Sequence, residues 1–291
     1  MSPILVPLDG SPSSVAALRT ALQLAGPGGE IIVLHVIDRA AIVSECVTPY
    51  GGDPMPALEA LESDERDVFA SASAEAAAAG VACTTVAMDG KPSSCIVASA
   101  RKRGPALVVM GTHGRHGLAR VFVGSTSIGV LHETPTPVLV VHAHGEPQGP
   151  LRTILVAIDD STASSAAVAT AIAMMSREGG LIVLAHVVED GTNEAVAMQA
   201  LDGARAEVAA AGLAVDSIVL HEEPVDAILA SAETAHADAI AVGAHARSGV
   251  RFGMGSVAEA IVTRSAIPVL VVPPPAVRTG AAQATQAEAL P

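Results

Sequence analysis

A chain of 291 residues, half of them hydrophobic, carries enough apolar surface for two buried cores. A formal net charge of −14 argues against broad nucleic-acid binding. No apolar run reaches the roughly 18 residues that a membrane span needs. With no Trp, one Tyr and three Phe, the cores must be aliphatic. Cys46, Cys83 and Cys95 are odd in number and lack C-x-x-C spacing, so they read as reduced structural thiols. The opening Met1-Ser2-Pro3-Ile4 shows no positively charged leader, which predicts a cytoplasmic protein.

The first apolar run, residues 3–8, reads as a strand ending at Pro7 and Asp9. A helix over 12–25 follows, with Val15, Leu18, Leu22 and Ala25 on one face. Asp9 stands where a carboxylate either caps this helix or meets a ligand. A second strand, 30–37, contains His35 and Val36; His35 reads as closing a core hydrogen bond rather than as a catalyst. The segment from Arg39 to Met55 holds Pro, Gly and Tyr50 and reads as an ordered surface loop. Then come a helix over 56–79, a strand over 82–87, a helix over 91–103 and a strand over 106–110 ending at Met110. Val36 and Met110 suit core packing or contact with a ligand.

The next stretch is the most informative. Gly111-Thr112-His113-Gly114 is followed by nine residues and then Gly124-Ser125-Thr126-Ser127, which opens a helix over 125–133. Glycines allow close approach of backbone N–H groups, and a helix N-terminus adds unpaired donors and partial positive charge. His113, Arg115, His116 and Arg120 supply basic side chains inside the loop of an acidic protein. An anion suits it; the plainer alternative is a flexible connection with capping hydroxyls. Rival nucleotide motifs fail: Gly90-Lys91-Pro92-Ser93 is not a Walker A loop, and Gly26-Pro27-Gly28-Gly29 runs from helix to strand without a third glycine.

A last strand over 137–142 ends the half, and His142 and His144 stand two apart just beyond it. They read as part of a solvated linker that continues through Gly145–Pro150, because no third metal ligand is near in sequence.

The same order then repeats about 150 residues later. Ile4–Ser11 pairs with Ile154–Ser161, and Pro137–Val141 with Pro268–Val272. Ile32–Val36 pairs with Ile182–Val187 only if Ala185 is an extra residue or the alignment slips by one place. A period this long means domains, at 1–145 and 151–273, with a Pro- and Ala-rich tail over 274–291 that reads as disordered. Strands alternating with helices, and rich in Val, Ile and Leu, predict two repeated doubly wound α/β domains, each a five-stranded mainly parallel sheet covered on both faces. On such sheets ligands sit beyond the carboxyl ends of the strands, so Asp9, Val36 and the Gly111 loop should converge.

In strand order, repeat and the G-x2-G-x9-G-Ser motif at Gly111, Gly114, Gly124 and Ser125, the chain resembles the universal stress protein family in its tandem-domain form. The resemblance covers nearly all of it except the tail. It implies a Rossmann-like fold and binding of ATP, with Mg²⁺ on the phosphates. It places Pro7 and Asp9 beside adenine and ribose, Val36 at the adenine edge and Met110 against the base. Gly111, His113, Gly114, Arg115, Gly124, Ser125, Thr126 and Ser127 would surround the phosphates. In the second half Asp159, Val187, Gly243, His245, Gly255 and Ser256 stand at the matching places. That half departs from the pattern: Ala157 replaces Pro7, Ala246 replaces the second glycine, and the spacing is one residue short. Its site is weaker, altered or vestigial.

The function expected is a nucleotide-dependent regulatory or stress-tolerance module. A slow ATP hydrolase and a structural stress protein without nucleotide are the alternatives. The final strands Val138–Val141 and Val269–Val272 are expected to pair the two halves, since an open edge strand favours being covered. Homodimerisation through helical faces is a further option.

Overall fold

A computed structural model describes residues 2–46, 53–112, 123–143, 149–175, 179–188, 194–244 and 254–275. In the first half, strands β1 (Ile4–Pro7), β2 (Glu30–Ile37), β3 (Ala82–Asp89), β4 (Leu107–Gly111) and β5 (Val138–Val141) alternate with helices. These helices are α1 (Pro12–Ala25), α2 (Arg39–Cys46), α3 (Met55–Ala78), α4 (Pro92–Arg103) and α5 (Ser125–Glu133). The second half runs β6 (Thr153–Ile158), α6 (Thr162–Met175), β7 (Leu181–Val187), α7 (Glu194–Ala210) and β8 (Ala214–Leu220). It finishes with α8 (Pro224–Thr234), β9 (Ala239–Gly243), α9 (Ser256–Arg264) and β10 (Val269–Val272).

Local chemistry sets these boundaries. Ser11 caps α1 by accepting from Ser14 N, Pro12 takes the first helical position, and Gly26 ends the helix at φ 62°. Most boundaries lie within one or two residues of the sequence reading. One expectation is corrected: Arg39–Cys46 is a helix, not a loop. Its start is capped by Asp38, whose Oδ1 accepts from Ala41 N at 2.9 Å. Tyr50 and its neighbours, and the tail from 276, lie outside the described residues.

The ten strands form one sheet in the order β3-β2-β1-β4-β5-β10-β9-β6-β7-β8. All pairings inside each half are parallel. The order is a palindrome, and its centre is the antiparallel pair β5–β10, with Val140 opposite Val269 and Leu139 opposite Leu270. The expected joining of the two final strands is therefore what holds the halves together, around a pseudo-two-fold axis. Strand order reverses between β1 and β4 and again between β6 and β9, giving one topological switch point per half.

Strand register also resolves the slip. Ile4 sits opposite Ile31 and Ile154 opposite Ile182, so Ile182 stands where Ile31 does. His186 then matches His35 and Val187 matches Val36 with no extra residue inside the strand.

Alternating side chains build a core on each face of the sheet. Ile4, Val6, Val109, Leu139 and Val141 face one way, with Ile154, Val156 and Leu270 of the second half in the same cluster. Leu5, Val108, Met110 and Val140 face the other, together with Leu155, Ile240 and Val269. Both cores cross the boundary between halves. The largest fully buried side chains are aliphatic, Leu5, Leu34, Ile154 and Leu184 among them.

Candidate functional site

At the first switch point the carboxyl ends of β1, β2 and β4 surround a cavity of about 580 Å³. That volume lies inside the roughly 300–1,000 Å³ range of small-molecule sites. Pro7, Asp9, Val36, Met110, Gly111, Gly124, Ser125, Thr126 and Ser127 all line it. Residues from three strand ends and one helix start thus meet at a single place. His113, Gly114 and Arg115 lie outside the described residues, with His116 and Arg120.

Asp9 does not cap α1 itself. Its Oδ1 accepts from Ser11 N at 2.9 Å, and Ser11 then caps the helix. The carboxylate is thereby fixed at the mouth of β1, half-buried, in a residue that lines the cavity.

Gly111 has a structural duty. A Cβ there would lie 2.6 Å from the backbone carbon of Ser13 and 2.5 Å from its Oγ. Only glycine lets the first turn of α1 rest on the end of β4. Gly243 repeats this in the second half, where a Cβ would meet Ala163 Cβ and Ser164 N, both at 2.9 Å.

Gly124 is the N-cap of α5, with φ −63° and ψ 151°, and no side chain caps the helix there. Its N–H donates to Thr112 O at 2.7 Å and Ser127 Oγ donates to Gly111 O at 2.9 Å. These two bonds tie the start of the glycine loop to its exit. The third hydroxyl of the motif is 3 % exposed and serves this closure. What faces the cavity at the helix start is therefore uncapped backbone with the hydroxyls of Ser125 and Thr126 beside it. Such a terminus stabilises an anion, by about 0.3–1 kcal/mol when exposed and up to about 2 when partly buried.

Further residues line the cavity, and apart from His35 they were not singled out from sequence. His35 is 3 % exposed, donates from Nδ1 to Leu8 O at 2.6 Å and meets the Phe69 ring edge-on at 6.1 Å. The core hydrogen bond expected of it is present. Asp38, Ala41 and Ile42 from the start of α2, with Leu61 of α3, close one side. Pro92 and Ile96 of α4 close another. Helix α2 is held in place by Arg39, whose N–H donates to Asp89 Oδ1 at 3.2 Å and whose guanidinium donates to Glu62 Oε1 at 2.8 Å. The palindrome of the repeat hid this wall, because α2 belongs to the insertion that the second half lacks. Nearby, Cys95 is buried and free; burial, then the Asp89 and Asp38 carboxylates, push its thiol up from the ordinary range.

The second half keeps the backbone plan. Asp159 Oδ1 accepts from Ser161 N at 2.9 Å, and Gly255 N–H donates to Ala244 O at 2.6 Å before capping α9 without a side-chain partner. Ala157 is the last residue but one of β6, Val187 ends β7, and Ser256 opens α9. Val257 and Ala258 replace Thr126 and Ser127, so the hydroxyl that closes the first loop is missing. His245 and Ala246 lie outside the described residues. Among the described residues no group of three His, Cys, Asp or Glu could hold a metal ion, and no helix is long and apolar enough to cross a membrane. His142 is described at the end of β5 and His144 is not.

Comparison with known proteins agrees with this architecture. The model of the universal stress protein family matches residues 1–142 and again 150–273. A universal stress protein of Mycolicibacterium smegmatis is 30 % identical over 93 % of this chain and 97 % of its own length. The universal stress protein YxiE of Bacillus subtilis is 30 % identical over 47 % of this chain and 97 % of its own, the size of one half. Among solved structures, that of a universal stress protein from Archaeoglobus fulgidus superposes with a TM-score of 0.73 at 25 % identity, covering 94 % of this chain and 96 % of the other. The chain belongs to the universal stress protein family, as a tandem of two of its domains.

Proposed function

We propose that the first half binds ATP, with Mg²⁺ on the phosphates, and that occupancy regulates the protein rather than feeding a turnover reaction. The observation that carries this reading is one cavity in which a carboxylate just beyond β1, an apolar wall and an uncapped helix start lie together. In this reading the base packs against Val36 and Met110 and the ribose hydroxyls donate to Asp9. The phosphates lie at Ser125 and Thr126, and His113, Gly114 and Arg115 of the same glycine motif are further ligands in this reading. Mg²⁺ supplies charge neutralisation on the phosphates.

The described polar groups favour binding over hydrolysis. Asp9 accepts from Ser11 N, Asp38 from Ala41 N, and His35 Nδ1 donates to Leu8 O. Each of these described groups is committed to a structural bond, whereas a hydrolytic base must be available to a water placed in line with the phosphate. A ligand at 100 times its Kd stabilises the folded state by about 2.7 kcal/mol, enough to shift partner choice or lifetime. Placement of the protein in the cytoplasm and the domain limits 1–145 and 151–273 belong to the same proposal.

The test is to denature freshly purified protein and identify the released small molecules by mass spectrometry. ATP or ADP in near-stoichiometric amount is the expected result. Protein that carries no nucleotide, and takes none up on incubation with millimolar MgATP, contradicts the reading.

A further inference from the structure

Helix α5 has a cavity end and an interface end. At its start, Ser125, Thr126 and Ser127 line the first cavity. In its last turn His132 reaches into the other half, where its Nδ1 accepts from the backbone N–H of Met254 at 3.3 Å. Met254 is 8 % exposed and directly precedes Gly255, the N-cap of α9. A side chain of the first half therefore holds the chain at the exit of the second loop. The arrangement is not mirrored. Thr263, which stands in α9 where His132 stands in α5, donates to Glu259 O within its own helix.

α5 is in addition locked to α4. A Cβ on Gly129 would lie 2.9 Å from Ser93 Cβ, so the bare backbone of α5 at Gly129 rests directly on the Ser93 side chain of α4. Arg101 Nη2 donates to Glu133 O at 3.0 Å, fastening the end of α5 to α4. Pro92 and Ile96 of α4 are themselves cavity wall. The pair α4–α5 is thus one block, contacting the first cavity on two sides and the second loop through His132. From Ser125 to His132 the block spans only about 10 Å at about 1.5 Å per residue.

We infer that His132 is a positioning residue for the second half: an anion held at the start of α5 steadies the block, and His132 passes that restraint to Met254–Ser256. The coupling runs from the first half to the second and rests on the nucleotide reading of the first cavity. The second half need not bind ATP for it to operate. Its loop exit acts as the reporter of occupancy in the first.

Amide hydrogen exchange of the full chain, read by mass spectrometry with and without MgATP, tests this. Three proteins are compared: unmodified, His132→Ala and His132→Asn, the last retaining a side-chain acceptor. Without nucleotide, His132→Ala should speed exchange over 254–256 about five-fold, the factor that one net hydrogen bond is worth. His132→Asn should restore most of the protection. MgATP should protect 125–128 in all three proteins, and 254–256 in the unmodified and His132→Asn proteins but not in His132→Ala. If 125–128 are protected while 254–256 ignore both MgATP and His132→Ala, the relay is wrong and the nucleotide reading stands. If MgATP leaves 125–128 unprotected, both are wrong.

Discussion

Gly111 shows how one atom's worth of space decides local structure. Its missing Cβ is what lets α1 lean on β4, which in turn brings Asp9 and the α1 cap beside the glycine loop. Gly111→Ala should cost about 1–3 kcal/mol, the usual range for overpacking. Adding Ser13→Ala should not rescue it, since the nearest backbone atom, the Ser13 carbon at 2.6 Å, remains. A urea midpoint unchanged by Gly111→Ala would show that the packing adjusts freely. From sequence this glycine reads as a phosphate approach, because spacing motifs carry no record of which helix will pack against the strand end. Ser127 teaches the same lesson. It belongs to the motif, yet its hydroxyl closes the loop onto Gly111 O.

Most elements were legible because their signals are local. The α1 face, the Pro and Ser residues at helix starts and the Val- and Ile-rich strands needed no tertiary information. α2 was not, since its start depends on Asp38 and on Asp89, fifty residues away in sequence, and its composition carries turn residues just beyond it. The wall it forms was lost for the same reason. Ile42 lines the cavity from α2 and is only half-buried, so a larger side chain there can be accommodated without unfolding. Ile42→Trp should leave stability within about 0.5 kcal/mol, as surface changes do, while weakening ATP about ten-fold or more. Because the chain has no Trp, the new indole is also the sole tryptophan signal, and nucleotide should change its emission. Unaltered affinity with unaltered emission would remove α2 from the site.

At the scale of the molecule, the palindromic sheet makes two domains into one folding unit. β5 and β10 are buried on both faces and bonded to each other, and both cores contain residues of both halves. Val140 is fully buried opposite Val269. Val140→Lys places a charge there with no partner and should cost more than about 3 kcal/mol. Both halves should then lose structure in one shared transition. Two separate transitions in calorimetry of the unmodified protein would show that the halves are independent. The repeat predicted this joining from sequence, since two apolar final strands each need a covered edge. The loss of symmetry between the halves was legible only in part: Ala157 and Ala258 are visible substitutions, whereas the bond from His132 to Met254 is not. On the proposed reading, one half of this symmetric body holds ATP at the start of α5. Isothermal titration with MgATP tests it most directly, using the unmodified protein, Gly124→Asp and Gly255→Asp. Aspartate is a good N-cap and fits the observed backbone angles, so both variants should fold while repelling phosphate. One principal site is expected, lost in Gly124→Asp and kept in Gly255→Asp; no binding heat, or a site lost only in Gly255→Asp, would contradict ATP binding at α5.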